Sequence, residues 1–187
     1  SINLYKFFYF IQYMKTLNLH CDYIKFKALK KALKNIEEIS PNQNLEGESE
    51  ECLVVMVAVE KGDSTKSAEQ LVNDIEKISK NINTKNIVLY PYAHLSKNLG
   101  SPTTAIKILN ESAKKLKNFN VVQAPFGYYK SFELKVKGHP LSELSREFKL
   151  EGNEEEEAEI TDEERARMLR EISKAKLDTS KLKENDH

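Results

Sequence analysis

The 187 residues suffice for one ordinary domain with a tail, and 40% of them are apolar, which is enough for a packed core. The net charge is zero, but residues 1–150 carry +6 and residues 151–187 carry −6, so the body could attract a polyanion. Two cysteines without CxxC spacing, Cys21 and Cys52, argue against a zinc site or a disulfide framework and suit a reducing cytosol, which predicts a cytoplasmic protein. The apolar stretch FFYFI near the start is too short to span a bilayer, so no membrane segment is predicted.

Three regions follow from the pattern of composition. Residues 1–13 are predicted to be an N-terminal extension ahead of Met14. Residues 14–150 are predicted to form the domain, and residues 151–187 an acidic linker followed by a charged helical tail, with Thr161 and Glu164 in capping-box spacing.

The elements of the domain are predicted from hydrophobic periodicity. Leu71, Ile75 and Ile78 recur at helical spacing, whereas CLVVMVAVEK is a continuous apolar run typical of a central strand buried on both faces. We expect an α/β fold with a single sheet and packed helices. The predicted elements, in chain order, are a strand (15–26), a short helix or irregular connection (27–35), a polar loop (39–50), a central strand (52–61), a helix of about 17 residues capped by Ser64 or Ser67, a strand running into a loop (86–96), a helix from Ser101 and Pro102 (101–119), a hairpin formed by NVVQAPF and YKSFELKVKG, and a last short helix (140–148).

Two motifs offer candidate functional side chains near predicted strand ends. In YPYAHLS, His94 follows the carboxyl end of a predicted buried strand, which is where ligands bind in α/β sheets. His94 either holds or transfers a proton there, or only stabilises the loop by a hydrogen bond to a neighbouring carbonyl. In APFGYYK, Gly127 permits close approach of the backbone to a ligand, and Lys130 offers one compact cation or a lysine in water.

The third motif is KGHPLSELS. Glu143, on the predicted last helix, either faces His94 or Lys130 or is an exposed carboxylate. His139 is expected to order its loop, and His20 to lie in the core or in the same crevice. No Gly-rich phosphate loop, GxSxG or HExxH occurs, so P-loop, α/β-hydrolase and zincin chemistry are not expected, and neither a metal nor a cofactor is predicted.

Together YPYAHLS, APFGYYKSFELKVKGHPLSELS and LVVMVAVEK resemble the N-terminal editing domain of archaeal threonyl-tRNA synthetase, and KTLNLHCDYIKF is similar to its first strand. The resemblance covers about residues 14–148, with the motifs in the family's order. It implies the fold of D-aminoacyl-tRNA deacylases, a homodimer, and hydrolysis of serine wrongly attached to the 3′ end of threonine tRNA. The synthetase's catalytic and anticodon-binding domains are not recognisable, so we expect either a cut-out domain, which would partner the catalytic domain, or a free-standing relative.

The resemblance also assigns site residues, position by position. The functional side chains that it implies are Lys130, His94, Tyr129 and Glu143. The pocket-wall residues that it implies are Val59, Pro91, Tyr92, Ala93, Phe126, Gly127 and Tyr128, with Val59 crowding the amino-acid side chain. In the implied mechanism the ribose 2′-hydroxyl of the substrate helps to activate water, and Lys130 orients the ester or the water. Three alternatives remain open: a free-standing D-aminoacyl-tRNA deacylase, a non-catalytic tRNA-binding module, and a structural dimerisation domain.

Overall fold

The computed structural model describes residues 12–149 and, in the tail, residues 163, 166, 167, 169 and 170, which are helical. Of the predicted tail, the linker and the capping pair Thr161 and Glu164 lie outside the described residues. Within residues 12–149 one sheet contains six strands. The strands are β1 (Gln12–Lys31), β2 (Glu46–Ala58), β3 (Asn86–Pro91), β4 (Asn120–Gln123), β5 (Tyr128–Val136) and β6 (Glu143–Lys149).

Two of the three helices in this range begin at the predicted caps. The helices are α1 (Ile36–Ile39), α2 (Thr65–Ile82) and α3 (Pro102–Lys115). At α2 the Ser64 hydroxyl accepts the Lys66 N–H, and the Ser64 N–H donates to Ser67 Oγ, so both predicted cap residues take part in one capping box. At α3 the Ser101 hydroxyl accepts the Thr104 N–H ahead of a proline in the first turn. These caps satisfy N–H groups that have no partner within the helix.

The strand order is β4-β3-β2-β1-β5, and β6 also pairs with β1. β2, β3 and β4 are parallel, whereas β1 runs antiparallel to its three partners. β2 occupies one edge of β1, so β5 and β6 share the other edge end to end, opposite residues 21–31 and 12–19. The single strand β1 therefore organises half of the sheet.

The core has two layers because β2 and β3 are buried on both faces, as the apolar run of β2 predicted. Leu53 and Val55 point into a cluster formed with the inner faces of α2 and α3. Val54 and Met56 point into a second cluster, which contains Tyr90 and the inward side of β1. Full burial of one such side chain stabilises the fold by about 1.5–3 kcal/mol.

The second half of β1 lies close to the end of β3. The Phe26 and Tyr90 rings meet edge to face with centroids 6.0 Å apart, and the Phe132 ring of β5 lies 5.5 Å from that of Tyr90. Two register shifts interrupt the pairing of β1 with β5, and Gly47 leaves room for the Phe26 ring. This packing brings β5 next to the carboxyl end of β3, where the pocket described below lies.

Two predicted elements are wrong, and both errors concern long-range strand pairing. NVVQAPF and YKSFELKVKG do not form a hairpin, since β4 pairs with β3 and β5 pairs with β1 at opposite edges of the sheet. Residues 140–148 do not form a helix, because β6 begins at Glu143 and pairs with the first half of β1. Side chains of β6 alternate between exposed and half-buried, the period of a strand.

Other boundaries shift by a few residues. β1 starts at Gln12, inside the predicted extension, and continues to Lys31, through part of the predicted connection. β2 begins at Glu46, within the predicted polar loop. β3 ends at Pro91, and a 3-10 turn, Ala93–Leu95, follows it.

Candidate functional site

A pocket of about 530 Å³ opens where the parallel strands β2 and β3 end. Its walls come from these strand ends, the 3-10 turn, the start of α3, the residues after β1, and the segment from Phe126 into β5. Carboxyl ends of strands are the usual ligand-binding edge of α/β sheets. The volume lies within the range of about 300–1,000 Å³ that holds small-molecule ligands.

Lys130 supplies a partly buried cation in the pocket. Its Nζ donates to the carbonyl oxygens of Pro125 (3.0 Å) and Tyr128 (3.2 Å) and lies 5.0 Å from the centroid of the Tyr90 ring. An ammonium has three N–H donors, so two carbonyl contacts leave one donor for a ligand. Burial lowers the pKa of Lys130 from 10.5 to about 8, because the charged form loses hydration.

The 3-10 turn carries His94 at the pocket wall. The Tyr92 N–H donates to the Val57 carbonyl (2.8 Å), which fixes the start of the turn on the end of β2. The rings of Tyr92 and His94 meet edge to face, with centroids 5.3 Å apart. His94 is exposed, so its ring can reach a ligand as well as solvent.

A buried carboxylate holds the far side of this loop. Glu60 is 3% exposed, accepts a hydrogen bond from Ser96 Oγ at 2.5 Å and lies 3.6 Å from the Lys15 ammonium. Ser96 Oγ in turn accepts the Asn98 N–H (2.9 Å). A buried charge with such partners is costly to disrupt, so the network restrains the His94 loop.

The Phe126–Gly127 wall is held from outside the pocket. The Gln43 side chain accepts the Phe126 N–H (2.7 Å) and donates to the Phe126 carbonyl (3.2 Å). The Gly127 carbonyl accepts the N–H groups of Ala32 and Leu33. Gly127 has φ of +77°, and a Cβ there would lie 2.6 Å from Ile36 Cδ1, so only glycine fits without strain.

Val59 and Gly100 form the wall beside the end of β2. The Gly100 N–H donates to the Val59 carbonyl (2.9 Å), and Val59 is 5% exposed. A Cβ on Gly100 would lie 2.8 Å from the Glu60 carbonyl oxygen, so a glycine is required at this close approach of two backbones.

The structure brings most of the predicted site residues together and leaves one outside. Glu143 does not line the pocket, since it is exposed on β6 opposite Leu19, and the helix that was to carry it is absent. The predicted residues that do line the pocket are Val59, Pro91, Tyr92, Ala93, His94, Phe126, Gly127, Tyr128, Tyr129 and Lys130.

Sequence reasoning missed several residues of the site. Gly100 had a usable signal, since it stands directly before the Ser101-Pro102 helix start. Ala32, Leu33 and Phe132 reach the pocket only through the pairing of β1 with β5, which no local pattern encodes. Gln43 contacts Phe126 across 83 positions of sequence.

The two remaining candidate histidines, the buried His20 and the half-buried His139, form a separate pair away from the pocket lining. His20 Nδ1 and His139 Nε2 are 2.8 Å apart, and His139 Nδ1 accepts the Leu141 N–H. His139 therefore carries its proton on Nε2 and donates it to His20. Burial, followed by the nearby His139 and Lys137, lowers the pKa of His20 to about 4. His139 thus orders its loop, as expected.

Lys137 anchors this second cluster. Its ammonium is buried and pairs with Asp22 and, at 3.1 Å, with Glu51. Cys21 and Cys52 face each other across β1 and β2 as free, buried thiols. Burial raises the pKa of Cys21 to about 12 and that of Cys52 to about 11, which makes both poor nucleophiles.

Among the described residues, no group of three or more His, Cys, Asp or Glu side chains is placed to hold a metal ion. In the same part of the chain, none of the helices has the length and apolarity needed to cross a membrane.

Fold and site together define an α/β domain with a pocket at the strand ends, in which one partly desolvated lysine lies among aromatic rings. The chain belongs to the family described as the archaea-specific editing domain of threonyl-tRNA synthetase, whose profile matches residues 14–148. The family resemblance found in the sequence is thereby confirmed.

Curated relatives support the same family. The chain is 49% identical over 146 residues to threonine–tRNA ligase of Methanococcus maripaludis (strain C7), which covers 76% of this chain and 23% of the relative. It is 46% identical over 151 residues to threonine–tRNA ligase of Methanocaldococcus jannaschii, covering 78% and 24%. The chain thus spans about a quarter of the length of the curated relatives it matches.

Two solved structures are similar in shape. The c-Myc DNA unwinding element binding protein superposes with a TM-score of 0.51 at 10% identity, over 71% of this chain and 97% of that one. A probable eukaryotic D-amino acid tRNA deacylase superposes with a TM-score of 0.47 at 9% identity, over 74% of this chain and 100% of that one. The first likeness shows the fold, and the predicted α/β class with a single sheet and packed helices is confirmed.

Proposed function

We propose that this domain hydrolyses L-serine from mischarged threonine tRNA. The observation that carries the proposal is Lys130, a partly desolvated cation with a donor to spare, in a pocket half of whose lining residues are those that the family resemblance assigns. Family membership supplies the substrate class, an aminoacyl ester on the 3′-terminal ribose. The pocket then holds the terminal adenosine and its seryl group.

Each part of the pocket has a role in this proposal. The aromatic faces of Tyr92, Phe126 and Tyr128 suit adenine or ribose stacking. Lys130 donates to the ester carbonyl or to the attacking water and offsets charge on the developing oxyanion. His94 and Tyr129 position groups at the mouth, where Tyr129 is 63% exposed.

The chemistry needs little from the protein beyond this positioning. The substrate's 2′-hydroxyl assists the water, which attacks the carbonyl carbon. The C–O bond to the ribose breaks, and the 3′-oxygen takes up a proton. Within one chain Glu143 lies outside the pocket, so we assign it no contact with the ester.

Specificity rests on Val59 in this proposal. Serine lacks only the methyl group of threonine, and one such group is worth about 10–200-fold in discrimination. The buried Val59 crowds that methyl group beside the rigid Gly100 backbone. A second site that rejects threonine adds to the selectivity of the synthetic site.

The partners are proposed on the same basis. Residues 14–150 act as the editing domain, and residues 151–187 link it to the catalytic domain of a cytoplasmic threonyl-tRNA synthetase. A homodimer follows from the family resemblance, and sedimentation of the domain tests it. A free-standing D-aminoacyl-tRNA deacylase is the competing enzyme, and a tRNA-binding module without catalysis is the competing non-enzyme.

The test is deacylation of L-seryl-tRNA, L-threonyl-tRNA and a D-aminoacyl-tRNA, all on threonine tRNA, by wild type and Lys130→Met. We expect fast loss of serine, spared threonine and a rate lowered at least about tenfold in the variant. Lys135→Met, on the exposed side of the same strand, is the matched control and keeps its rate. Fast loss of the D-amino acid alone favours the competing deacylase, and three stable esters overturn the enzyme proposal.

A further inference from the structure

Two exposed lysines stand on one side of the pocket mouth. Lys30 lies opposite Tyr129 in the ladder between β1 and β5, and Tyr129 lines the pocket. Lys34 directly follows Leu33, another lining residue. Lys30 and Lys34 form what we call the first rim.

Two further exposed lysines stand on the other side. Lys97 lies two positions before the lining residue Leu99. The N–H of Lys61 donates to the Asn98 carbonyl (3.0 Å), which ties Lys61 to the same loop. Lys61 and Lys97 form the second rim, so two pairs of exposed lysines stand next to residues of the pocket lining.

The four rim charges are not neutralised within residues 12–149. None of the four lysines forms an ion pair with a carboxylate there, whereas the neighbouring Lys31 pairs with Glu37 at 2.7 Å. Unpaired ammonium groups around a concave mouth raise the local concentration of anions. The acidic group closest in sequence to the second rim, Glu60, is buried and already bonded to Ser96.

We propose that the two rims bind the backbone phosphates of the single-stranded 3′ end of tRNA, just before the terminal adenosine. The inference rests on the proposed function, because a pocket that takes the terminal nucleoside must let the strand leave through its mouth. Lysines bind phosphate as point charges without reading sequence. The rims would thus supply affinity for the strand, while the pocket reads the aminoacyl end.

The test compares two substrates and three double variants. The substrates are L-seryl-tRNA and 3′-O-seryl-adenosine, which has the ester but no phosphate. The variants are Lys30→Gln/Lys34→Gln, Lys61→Gln/Lys97→Gln and a control, Lys77→Gln/Lys117→Gln. The two control lysines are exposed, and they lie near the ends of α2 and α3 that are farther from the pocket. Their replacement removes the same amount of charge as each rim variant does.

We expect each rim variant to lose about tenfold in kcat/KM on seryl-tRNA and less than twofold on seryl-adenosine. The binding constant for tRNA should also depend less steeply on salt. The slope of its logarithm against the logarithm of the salt concentration should become shallower by about 0.7 for each lysine that contacts a phosphate. The control variant should change neither value. Binding of uncharged threonine tRNA, followed by fluorescence anisotropy, should weaken in parallel in the rim variants alone.

The outcomes separate this inference from the proposed function. If wild type hydrolyses both substrates and either rim variant behaves like the control, the phosphate path is overturned and the function stands. An equal loss on both substrates also overturns it, because a phosphate contact is missing from seryl-adenosine. If wild type hydrolyses neither substrate, the proposed function fails, and the anisotropy measurement alone tests whether the rims bind phosphates. Weaker tRNA binding in both rim variants, but not in the control, supports the phosphate contacts. Unchanged binding overturns them.

Discussion

Replacing Lys130 by methionine should make the protein more stable while it lowers activity. Lys130 is a cation held in a pocket that lowers its pKa from 10.5 to about 8. Such a shift means that the folded state disfavours the charged form that the unfolded chain carries at neutral pH. Methionine has a similar length and no charge, so it removes this penalty.

The magnitude follows from the pKa difference. A fall from 10.5 to about 8 corresponds to roughly 3 kcal/mol at neutral pH, at 1.36 kcal/mol per pH unit. The ammonium is still partly exposed, and methionine forfeits the bonds to the Pro125 and Tyr128 carbonyls, worth about 0.5–1.5 kcal/mol each. A net gain of about 1 kcal/mol remains, or roughly 4 °C in Tm for a domain of this size.

The pH dependence gives the sharper signature. The folded pKa lies below the unfolded one, so wild type gains stability from this group as pH rises from about 8 to about 10.5. The advantage of Lys130→Met should therefore be full at about pH 7 and lost or reversed above about pH 10.5, where the charge penalty has gone and only the missing carbonyl bonds count. Lys130→Arg, which keeps the charge, should show no gain at either pH.

Urea unfolding at about pH 7 and about pH 10 measures both effects. A methionine variant less stable than wild type at neutral pH would refute the reasoning, because it would mean that the ammonium is stabilised where it lies. A gain of equal size at both values would refute it as well, since the gain would then arise from packing rather than from charge.

Three further predictions concern other parts of the molecule. Val59→Ala should raise threonyl-tRNA hydrolysis relative to seryl-tRNA by roughly tenfold; an unchanged ratio in parallel deacylation assays removes Val59 from specificity. The pKa of His20 falls from 6.5 to about 4 on folding, so stability that is present above pH 6.5 is lost as the pH falls towards 4. Between about pH 7 and about pH 5 the free energy of unfolding of wild type should therefore fall by about 2 kcal/mol more than that of His20→Gln. Equal losses in urea titrations count against the pairing of His20 with His139. Gln43→Leu should lower the free energy of unfolding in urea by about 1–3 kcal/mol, because it removes both hydrogen bonds to the Phe126 backbone. The freed Phe126 should lower kcat while KM changes less. Kinetics like those of wild type would show that the two bonds are only structural.

Local signals in the sequence predicted α2 and α3 well. The stripe through Leu71 and Ile75, together with Ser64, located α2, because periodicity and capping involve residues within a few positions of each other. The continuous apolar run of β2 predicted a buried strand equally well. The family resemblance, and not a periodic pattern, named the ten predicted residues that line the pocket.

Strand partners could not be predicted in the same way. Leu141, Leu144 and Phe148 fit helical spacing, whereas Leu144, Arg146 and Phe148 fit the alternation of a strand, and pairing with β1 decides between them. The same long-range pairing separates β4 from β5, so adjacency in sequence misled the hairpin prediction. Gln43 was not predictable, because a side-chain bond to a backbone 83 positions away leaves no local pattern.

The position of β1 constrains how the chain folds during synthesis. One edge of β1 is complete only when residues 128–149 have left the ribosome, more than 100 positions after most of their partners. At about 5–20 residues per second, that edge waits roughly 6–24 s after Lys31 is made. An unpaired edge of this length is a template for association with other chains. Nascent-chain solubility should therefore improve sharply once β5 and β6 emerge, and the pocket forms at that same late step.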